Sequence, residues 1–279
     1  MKKGINIWSF DPSKPLSEVL KLAKDAGFEG IELSLDVTGP VSMESSEKNL
    51  LEVKKAAADI GLSLYSLATG QFWDFPMTSG DKAKREHAAE IVKKQLYAAS
   101  VLGCDSILVI PGLVNASFIP GCEVVPYDVA YDRAFETVST LAREAEKYKV
   151  NIALENVWNQ FLVSPLEMRD FIDRVGSQYV GSYFDIGNVV FNGYPEHWIS
   201  ALGKRIKKVH FKDYRRSAGG LHGFVDLLAG DVDWPNVIKA LKEVGYDDWV
   251  SAEMIPAYTH YTDQIIYNTS NAMDRILGR

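Results

Sequence analysis

The sequence predicts a single (β/α)8 barrel that spans residues 1–279. Short β-rich runs alternate with longer amphipathic segments along the whole chain, and the short runs are mostly apolar. Apolar runs without strict alternation are typical of strands that are buried on both faces, as in a parallel sheet covered by helices. The length of 279 residues also fits the roughly 250 residues of such a barrel. A doubly wound open sheet is the alternative fold.

Each unit of the barrel is expected to contain one strand and one helix. The expected strands are Gly4–Trp8, Gly30–Ser34, Leu62–Leu67, Ser106–Ile110, Val150–Glu155, Val180–Asp185, Ile206–His210 and Trp249–Glu253. The expected helices are Leu16–Ala26, Ser46–Ile60, Lys82–Leu102, Tyr127–Tyr148, Pro165–Val175, Pro195–Leu202, Pro235–Val244 and Thr262–Leu277. Gly27, Gly61, Gly103 and Gly245 each follow a helical segment, where a left-handed C-terminal cap needs a residue without Cβ.

The composition indicates a soluble protein of the reducing cytoplasm. Two cysteines, Cys104 and Cys122, supply no disulfide framework. We expect neither a secretory signal nor a membrane span, because no uncharged apolar run reaches about 18 residues. The formal net charge of −7 argues against sequence-independent binding to the phosphates of nucleic acid, because such binding needs a basic face.

Four successive later strands of the predicted barrel each end in a possible metal ligand. These residues are Glu155, Asp185, His210 and Glu253. Taken singly, such a carboxylate is more often a helix cap, and such a histidine is more often a packing residue. In a (β/α)8 barrel, however, the carboxyl ends of the strands meet on one rim, where the chemistry lies. Three carboxylates close together on a dry rim repel each other unless a cation neutralises them.

The same residues predict which cation is bound. Three carboxylates and one imidazole suit one divalent ion, with Mn²⁺ the first expectation and Mg²⁺, Co²⁺ or Zn²⁺ as alternatives. Four protein ligands leave room in an octahedral shell for two oxygens of a substrate. The sequence therefore predicts a site that chelates a hydroxy-carbonyl compound.

Short motifs at these strand ends resemble the sugar phosphate isomerase/epimerase superfamily, the xylose-isomerase-like TIM barrels. The motifs are Leu154–Asn156, Phe184–Asn188, Val209–Asp213 and Ala252–Met254, and Gly27–Leu33 resembles an early signature of the same barrels. Each motif is weak alone, but their order and spacing cover essentially the whole chain. The resemblance implies the barrel, the four metal ligands and a homo-oligomer, either a dimer or a tetramer.

Two branches of the superfamily are most similar to this chain. In the ketose 3-epimerases, an arginine that contacts the substrate follows the metal histidine by six residues, and this position is Arg216 here. The chain departs from that branch at Asn188, where these enzymes carry histidine, and at Phe161, where they carry an acid. The second branch acts on ketopentose 5-phosphates and hexulose 6-phosphates, as do L-ribulose-5-phosphate 3-epimerases and hexulose-6-phosphate isomerases. Gly70–Pro76 resembles its third βα loop.

The resemblance implies a metal-dependent isomerase of sugars or sugar phosphates, with ketose 3-epimerisation through an enediolate as the first expectation. Such a reaction needs an acid/base group on each face of the reacting carbon, and the resemblance gives these roles to Glu155 and Glu253. Aldose–ketose isomerases, keto-inositol dehydratases and C-glycoside-cleaving enzymes share the barrel and remain alternatives. The apurinic-site endonucleases are a distant alternative, because they need ligands for three metals and the chain has only five histidines.

Five residues near the strand ends are expected to contact the substrate. They are Trp8, Trp158, Asn188, Lys212 and Arg216. The two indole rings could pack against the C–H face of a sugar, although packing at the rim is the alternative. Arg216 could bind hydroxyl groups or a phosphate, or it could be a solvated cation of its loop.

Three further expectations concern support around the site. Lys212 is expected to form a local ion pair with Asp213. Glu32, at the end of the second strand, could hold the ligand shell from beneath or cap a helix. The glycine-rich segment Arg215–Asp231 could close over the rim as a lid, or it could be surface slack.

Overall fold

The computed structural model describes residues 1–255 and 257–279, and its centre is a closed barrel of eight parallel strands. In chain order these strands are β1 (Lys2–Asn6), β2 (Gly30–Ser34), β3 (Ser63–Ala68), β4 (Ser106–Val109), β5 (Asn151–Glu155), β6 (Val180–Asp185), β7 (Ile206–Phe211) and β10 (Trp249–Ala252). Strand β1 pairs with β2 on one side and with β10 on the other, which closes the sheet. The predicted (β/α)8 barrel is confirmed, and the open sheet is wrong.

Helices surround the barrel between successive strands. They are α1 (Leu16–Asp25), α2 (Glu47–Asp59), α3 (Lys82–Leu102), α4 (Tyr127–Tyr148), α5 (Pro165–Val175), α6 (Gly187–Val190), α7 (Pro195–Leu202), α8 (Trp234–Glu243) and α9 (Gln264–Leu277). The sequence did not predict α6, a single turn that directly follows β6. None of the described helices is both long and apolar enough to cross a bilayer.

Local capping chemistry explains why the predicted boundaries agree so closely with the structure. Ser46 starts α2 with a capping box, in which its side chain and that of Asn49 each bond the other's backbone N–H. At the end of α3, Gly103 has φ of 87°, the left-handed conformation that the glycine pattern predicts.

The first strand is displaced from its predicted range. It covers Lys2–Asn6 rather than Gly4–Trp8, and a 3-10 turn over Ile7–Ser9 follows. The side chain of Asn6 accepts a hydrogen bond from the backbone N–H of Trp8 at 2.7 Å, which ends the strand and starts the turn. Trp8 therefore lies just beyond the strand end, at the rim.

A short hairpin also went unpredicted. Strand β8 (Asp213–Tyr214) pairs in antiparallel fashion with β9 (Phe224–Val225), outside the barrel and directly after β7. The glycine-rich segment 215–231 therefore has a fixed base and is not surface slack. Whether it moves as a lid stays a prediction.

Candidate active site

The four expected metal ligands meet at the carboxyl end of the barrel. All four offer ligand atoms that lie within 4.8 Å of one another. The Nδ1 atom of His210 is 3.6 Å from Glu155 Oε1 and 3.8 Å from both Asp185 Oδ2 and Glu253 Oε2. Parallel registry brings two of them together, because Asp185 on β6 is the direct partner of His210 on β7. We call these four residues the quartet.

Glu32 lies beneath the quartet and is fully buried. Its Oε2 atom is 2.7 Å from His210 Nε2, so the far nitrogen of the imidazole is fixed while Nδ1 faces the carboxylates. Asn6 Nδ2 and Ser66 Oγ donate to the Glu32 carboxylate at 2.7 and 2.8 Å. The expectation that Glu32 supports the ligand shell agrees with this geometry, and the helix-capping alternative is wrong. Buried carboxylates that orient a ligating histidine are typical of metal centres.

Two asparagines hold the end of β6 in place. Asn156 accepts from the backbone N–H of Asp185 at 2.9 Å and donates to the carbonyl oxygen of the same residue at 2.8 Å. The N–H of Asn188 donates to Asp185 Oδ1 at 2.8 Å. The Asn188 carbonyl accepts from the indole N–H of Trp158 at 2.9 Å, which ties that ring to the same network. These contacts fix the Asp185 carboxylate so that Oδ2 points into the quartet.

Lys212 reaches the quartet from two residues beyond His210. Its ammonium contacts Glu253 Oε2 and lies 3.5 Å from Asp185 Oδ2. The expected ion pair between Lys212 and Asp213 is wrong, because neighbouring residues of an extended chain point to opposite sides. Asp213 points into the hairpin, where it accepts hydrogen bonds from backbone N–H groups.

The quartet fits a divalent cation on the chemistry of its donors. Within residues 1–255 and 257–279, buried Asp185 Oδ2 and His210 Nδ1 have no hydrogen-bond partner. Glu253 Oε2 meets the Lys212 ammonium as an ion pair. Buried polar atoms without a partner are costly, and such atoms aimed at one point are what a bound ion would satisfy.

Burial and neighbouring charges shift the pKa values of the quartet. Burial raises the pKa of Glu155 to about 7, and the nearby Glu253 carboxylate adds to the rise. Burial likewise raises the pKa of Asp185. Burial opposes ionisation of His210, but the charges of Glu32 and Glu253 raise its pKa well above the ordinary value. For Glu253, burial is outweighed by the charges of Lys212 and His210, which lower its pKa. A bound cation would favour the ionised carboxylates and the deprotonated imidazole nitrogen.

A cavity of about 670 Å³ opens above the quartet. Four of the five expected substrate contacts line it, together with both glutamates. Its lining residues are Trp8, Thr69, Gly70, Trp73, Leu108, Ile110, Phe118, Glu155, Val157, Trp158, Asn188, Lys212, Leu221, His222, Phe224, Glu253 and Ile255. Asp185 and His210 lie beneath these residues, and both are fully buried.

Arg216 is the expected substrate contact that does not line this cavity. Its guanidinium donates to the carbonyl oxygen of Gly193 at 2.8 Å and lies 4.7 Å from the centre of the Tyr194 ring. Its backbone N–H donates to Asp231. The side chain is exposed at the outer side of the hairpin.

Several residues in and around the cavity were not singled out as site residues from the sequence. Asn156 belonged to a recognised motif, but nothing local showed that its side chain bonds the next strand. Phe118 lies in a loop and Phe224 in the short strand β9, and neither has a strand-end signal. The closed barrel alone brings them to the cavity. His222 stands in the glycine-rich segment that the sequence marked as a candidate lid.

The fold and the site together define a (β/α)8 barrel with a three-carboxylate, one-histidine centre at the carboxyl ends of its later strands. Residues 20–268 match the family described as Xylose isomerase-like TIM barrel. The chain belongs to this family, as its strand-end motifs indicated.

Two curated relatives are sugar-phosphate epimerases by name. SgbU of Escherichia coli (strain K12), provisionally assigned as an L-ribulose-5-phosphate 3-epimerase, is 27% identical over 243 residues, which are 82% of this chain and 80% of SgbU. The L-ribulose-5-phosphate 3-epimerase UlaE of Salmonella paratyphi A is 25% identical over 261 residues, 88% of this chain and 86% of UlaE.

Solved structures share the fold at lower identity. The D-psicose 3-epimerase of Clostridium cellulolyticum H10, solved with D-tagatose, aligns with a TM-score of 0.82 and 17% identity over 100% of this chain and 99% of its own. The IOLI protein, solved with a bound zinc atom, aligns with a TM-score of 0.81 and 18% identity over 100% of this chain and 98% of its own.

Proposed function

We propose that the protein is a metal-dependent ketose 3-epimerase that acts on a sugar or sugar phosphate through an enediolate. One observation carries the proposal: the carboxylates of Glu155 and Glu253 both line the cavity and both approach His210. Glu155 ends β5 and Glu253 directly follows β10, and β6 and β7 separate these two strands in the closed sheet. A substrate carbon above the quartet would therefore meet a carboxylate on each of two sides.

The quartet supplies the ligands and the acid/base pair of this reaction. A divalent cation held by Glu155, Asp185, His210 and Glu253 would supply Lewis acidity to the carbonyl of the substrate. Asp185 and His210 act as ligands only, because they lie beneath the cavity lining. Glu155 and Glu253 exchange a proton with the carbon beside the carbonyl, one accepting it from one face and the other returning one to the opposite face.

Other lining residues position the sugar. The Lys212 ammonium holds the Glu253 carboxylate and faces the cavity, where it can also contact a hydroxyl group of the substrate. Trp8 and Trp158 offer aromatic faces to the C–H side of the sugar. Asn188 holds Asp185 and borders the cavity. Arg216 is left out of the proposed contacts, because it bonds Gly193 outside the lining.

The relatives support this reaction from an independent direction. SgbU and UlaE carry the name of a 3-epimerase of a ketose phosphate. More than four-fifths of this chain aligns with each of them. Their reaction needs the same proton transfer beside a carbonyl that the two cavity glutamates can perform.

Deuterium exchange tests the proposal. The protein is stripped of metal, reloaded with Mn²⁺ and incubated in D2O with free and phosphorylated ketoses, and label is located by NMR. We expect metal-dependent deuterium at C3 together with a new epimer. Glu155→Gln and Glu253→Gln should each abolish the label, whereas Glu86→Gln, on the exposed face of α3, should retain it.

Different positions of the label identify the alternatives. Deuterium at C1 or C2 with an aldose product would assign an aldose–ketose isomerase instead. An absence of exchange across the panel, with metal bound, would refute the epimerase and make keto-inositols and C-glycosides the next substrates.

A nuclease is the least favoured reaction. The single four-residue cluster among the described residues supplies ligands for one cation, whereas the apurinic-site nucleases need three. The choice of Mn²⁺, the cytoplasmic location and a homo-oligomer stay predictions.

A further inference from the structure

The mouth of the cavity is mainly apolar, with the exposed His222 as its polar member among the described lining residues. Phe118, Leu221 and Ile255 line it and are 37%, 47% and 43% exposed. Asp185 and His210 at the base are fully buried. The cavity therefore leads from a mainly apolar opening to a charged floor. Exposed apolar side chains that border one cavity are typical of a ligand-binding groove.

Two aromatic pairs, which we call the aromatic walls, line the cavity from different sets of loops. Trp73 and Phe118 meet edge to face, with ring centres 5.2 Å apart. Trp158 and Phe224 meet at a tilt, with ring centres 5.3 Å apart. Trp73 follows β3, and Phe224 follows β7 at the opposite side of the closed barrel. Both pairs offer apolar surface to a group that enters the cavity.

Positive charge is scarce where a phosphate group would need it. Among the described lining residues, Lys212 and His222 alone can be cationic, and Lys212 is already paired with Glu253. Both arginines of the adjoining segment point elsewhere: Arg215 donates to the carbonyl of Ala229 at 2.6 Å and Arg216 to that of Gly193. Arginine and lysine side chains are the common cationic partners of a phosphate in proteins.

These features assign a substrate class within the function proposed above. We infer that the substrate is a keto-sugar that carries an apolar group, rather than a phosphate, at its end remote from the reacting carbonyl. The sugar occupies the charged floor, and the apolar group lies between the aromatic walls and reaches the mouth. A volume of about 670 Å³ suits such an extended molecule, because it lies well within the roughly 300–1,000 Å³ of sites for drug-sized ligands.

A matched ligand series tests the inference by binding, independently of turnover. The Mn²⁺-loaded protein is titrated calorimetrically with 6-O-benzyl-D-fructose, 6-O-methyl-D-fructose and D-fructose 6-phosphate, which differ only at the remote end. We expect the benzyl ether to bind at least about tenfold more tightly than the methyl ether. We expect the phosphate to bind no more tightly than the methyl ether.

Variants at the mouth locate the effect. Phe118→Ala and Leu221→Asn change exposed side chains, and each should reduce the preference for the benzyl ether to less than about threefold. Tyr261→Ala is the matched control, because Tyr261 is 88% exposed and does not line the cavity; it should keep the full preference.

Three results would overturn the inference: tighter binding of the phosphate, equal affinities for the two ethers, or no binding of the benzyl ether. Deuterium exchange with a free ketose alongside any of these would leave the epimerase standing and remove only the substrate class. Selective binding of the benzyl ether without exchange into any ketose would refute the epimerase and keep the apolar subsite.

Discussion

At the residue scale, the orientation of His210 depends on a side chain that does not line the cavity. The imidazole has one nitrogen against Glu32 and the other against three carboxylates. When Nε2–H donates its hydrogen bond to Glu32, Nδ1 is the nitrogen that can bind a cation. Asn6 and Ser66 fix Glu32 in turn, so three strands contribute to the position of one ligand.

Glu32→Gln should weaken metal binding. The amide keeps the size of the side chain but removes the charge that makes His210 a stronger ligand, and loss of such a partner typically costs about 10–100-fold in affinity. Competition of the metal-free protein with a chelating dye for Mn²⁺ measures the change. Glu86→Gln should leave the affinity unaltered, and an unaltered affinity of Glu32→Gln would contradict this role.

The contacts of Lys212 and Asp213 could not be predicted from their neighbours in sequence. Their opposite charges suggested a pair, but the two side chains leave an extended backbone on opposite sides. Lys212 meets Glu253, which lies 41 positions later in the chain, and Asp213 meets the hairpin. Such partners depend on which loops the closed barrel brings together.

At the scale of elements, one carboxylate holds the base of the segment beside the cavity. Asp213 Oδ2 accepts from the Leu228 N–H at 2.9 Å and the Trp234 indole N–H at 3.1 Å. Its Oδ1 atom accepts from the Tyr214 N–H at 2.8 Å and the Val232 N–H at 3.2 Å. These bonds join β8 to the start of α8, so the hairpin that presents Phe224 to the cavity is anchored at both ends.

Asp213→Ala should loosen this anchor. It leaves several donors without a partner, and each that stays buried costs about 1–3 kcal/mol, so we expect a loss of at least about 2 kcal/mol in the free energy of unfolding. Urea denaturation measures that loss, and hydrogen exchange at Leu228 and Val232 should become faster.

Two variants separate this anchor from a general surface effect. Asp231→Ala removes an exposed aspartate of the same segment, which accepts a single bond from the Arg216 N–H, and should cost far less. Asp213→Asn keeps one acceptor oxygen and should fall between. Equal losses for Asp213→Ala and Asp231→Ala would contradict the proposed anchor.

At the scale of the whole molecule, the quartet joins four strands of the closed sheet. Three members come from β5, β6 and β7 and the fourth directly follows β10, which also pairs with β1. A cation bound to all four ligands would therefore exist only in the folded barrel. Binding to the folded state alone stabilises that state.

Mn²⁺ should raise the melting temperature of the metal-free protein. At a free concentration of 100 times the Kd, the gain in the free energy of unfolding is about 2.7 kcal/mol. Calorimetry with and without Mn²⁺ measures the shift, and EDTA should reverse it. Asp185→Asn should show a much smaller rise, and an equal rise in that variant would place the binding elsewhere.

The sequence by itself determined the barrel and the quartet. Apolar strand runs, helical periodicity and terminal glycines are local patterns, and they located most elements to within one or two residues. Glu155, Asp185, His210 and Glu253 could be found because each ends such a strand, and parallel strands share one rim.

Only the tertiary structure decided what surrounds that quartet. Glu32 contacts His210, Lys212 contacts Glu253, and Arg216 contacts Gly193. These contacts and the two aromatic walls all join residues that are distant in sequence. Strand periodicity specifies the face on which a side chain lies, but contacts between loops depend on the closure of the sheet and the packing of every loop on the same rim. The quartet was therefore predictable from local pattern, whereas the shape and polarity of the cavity above it were not.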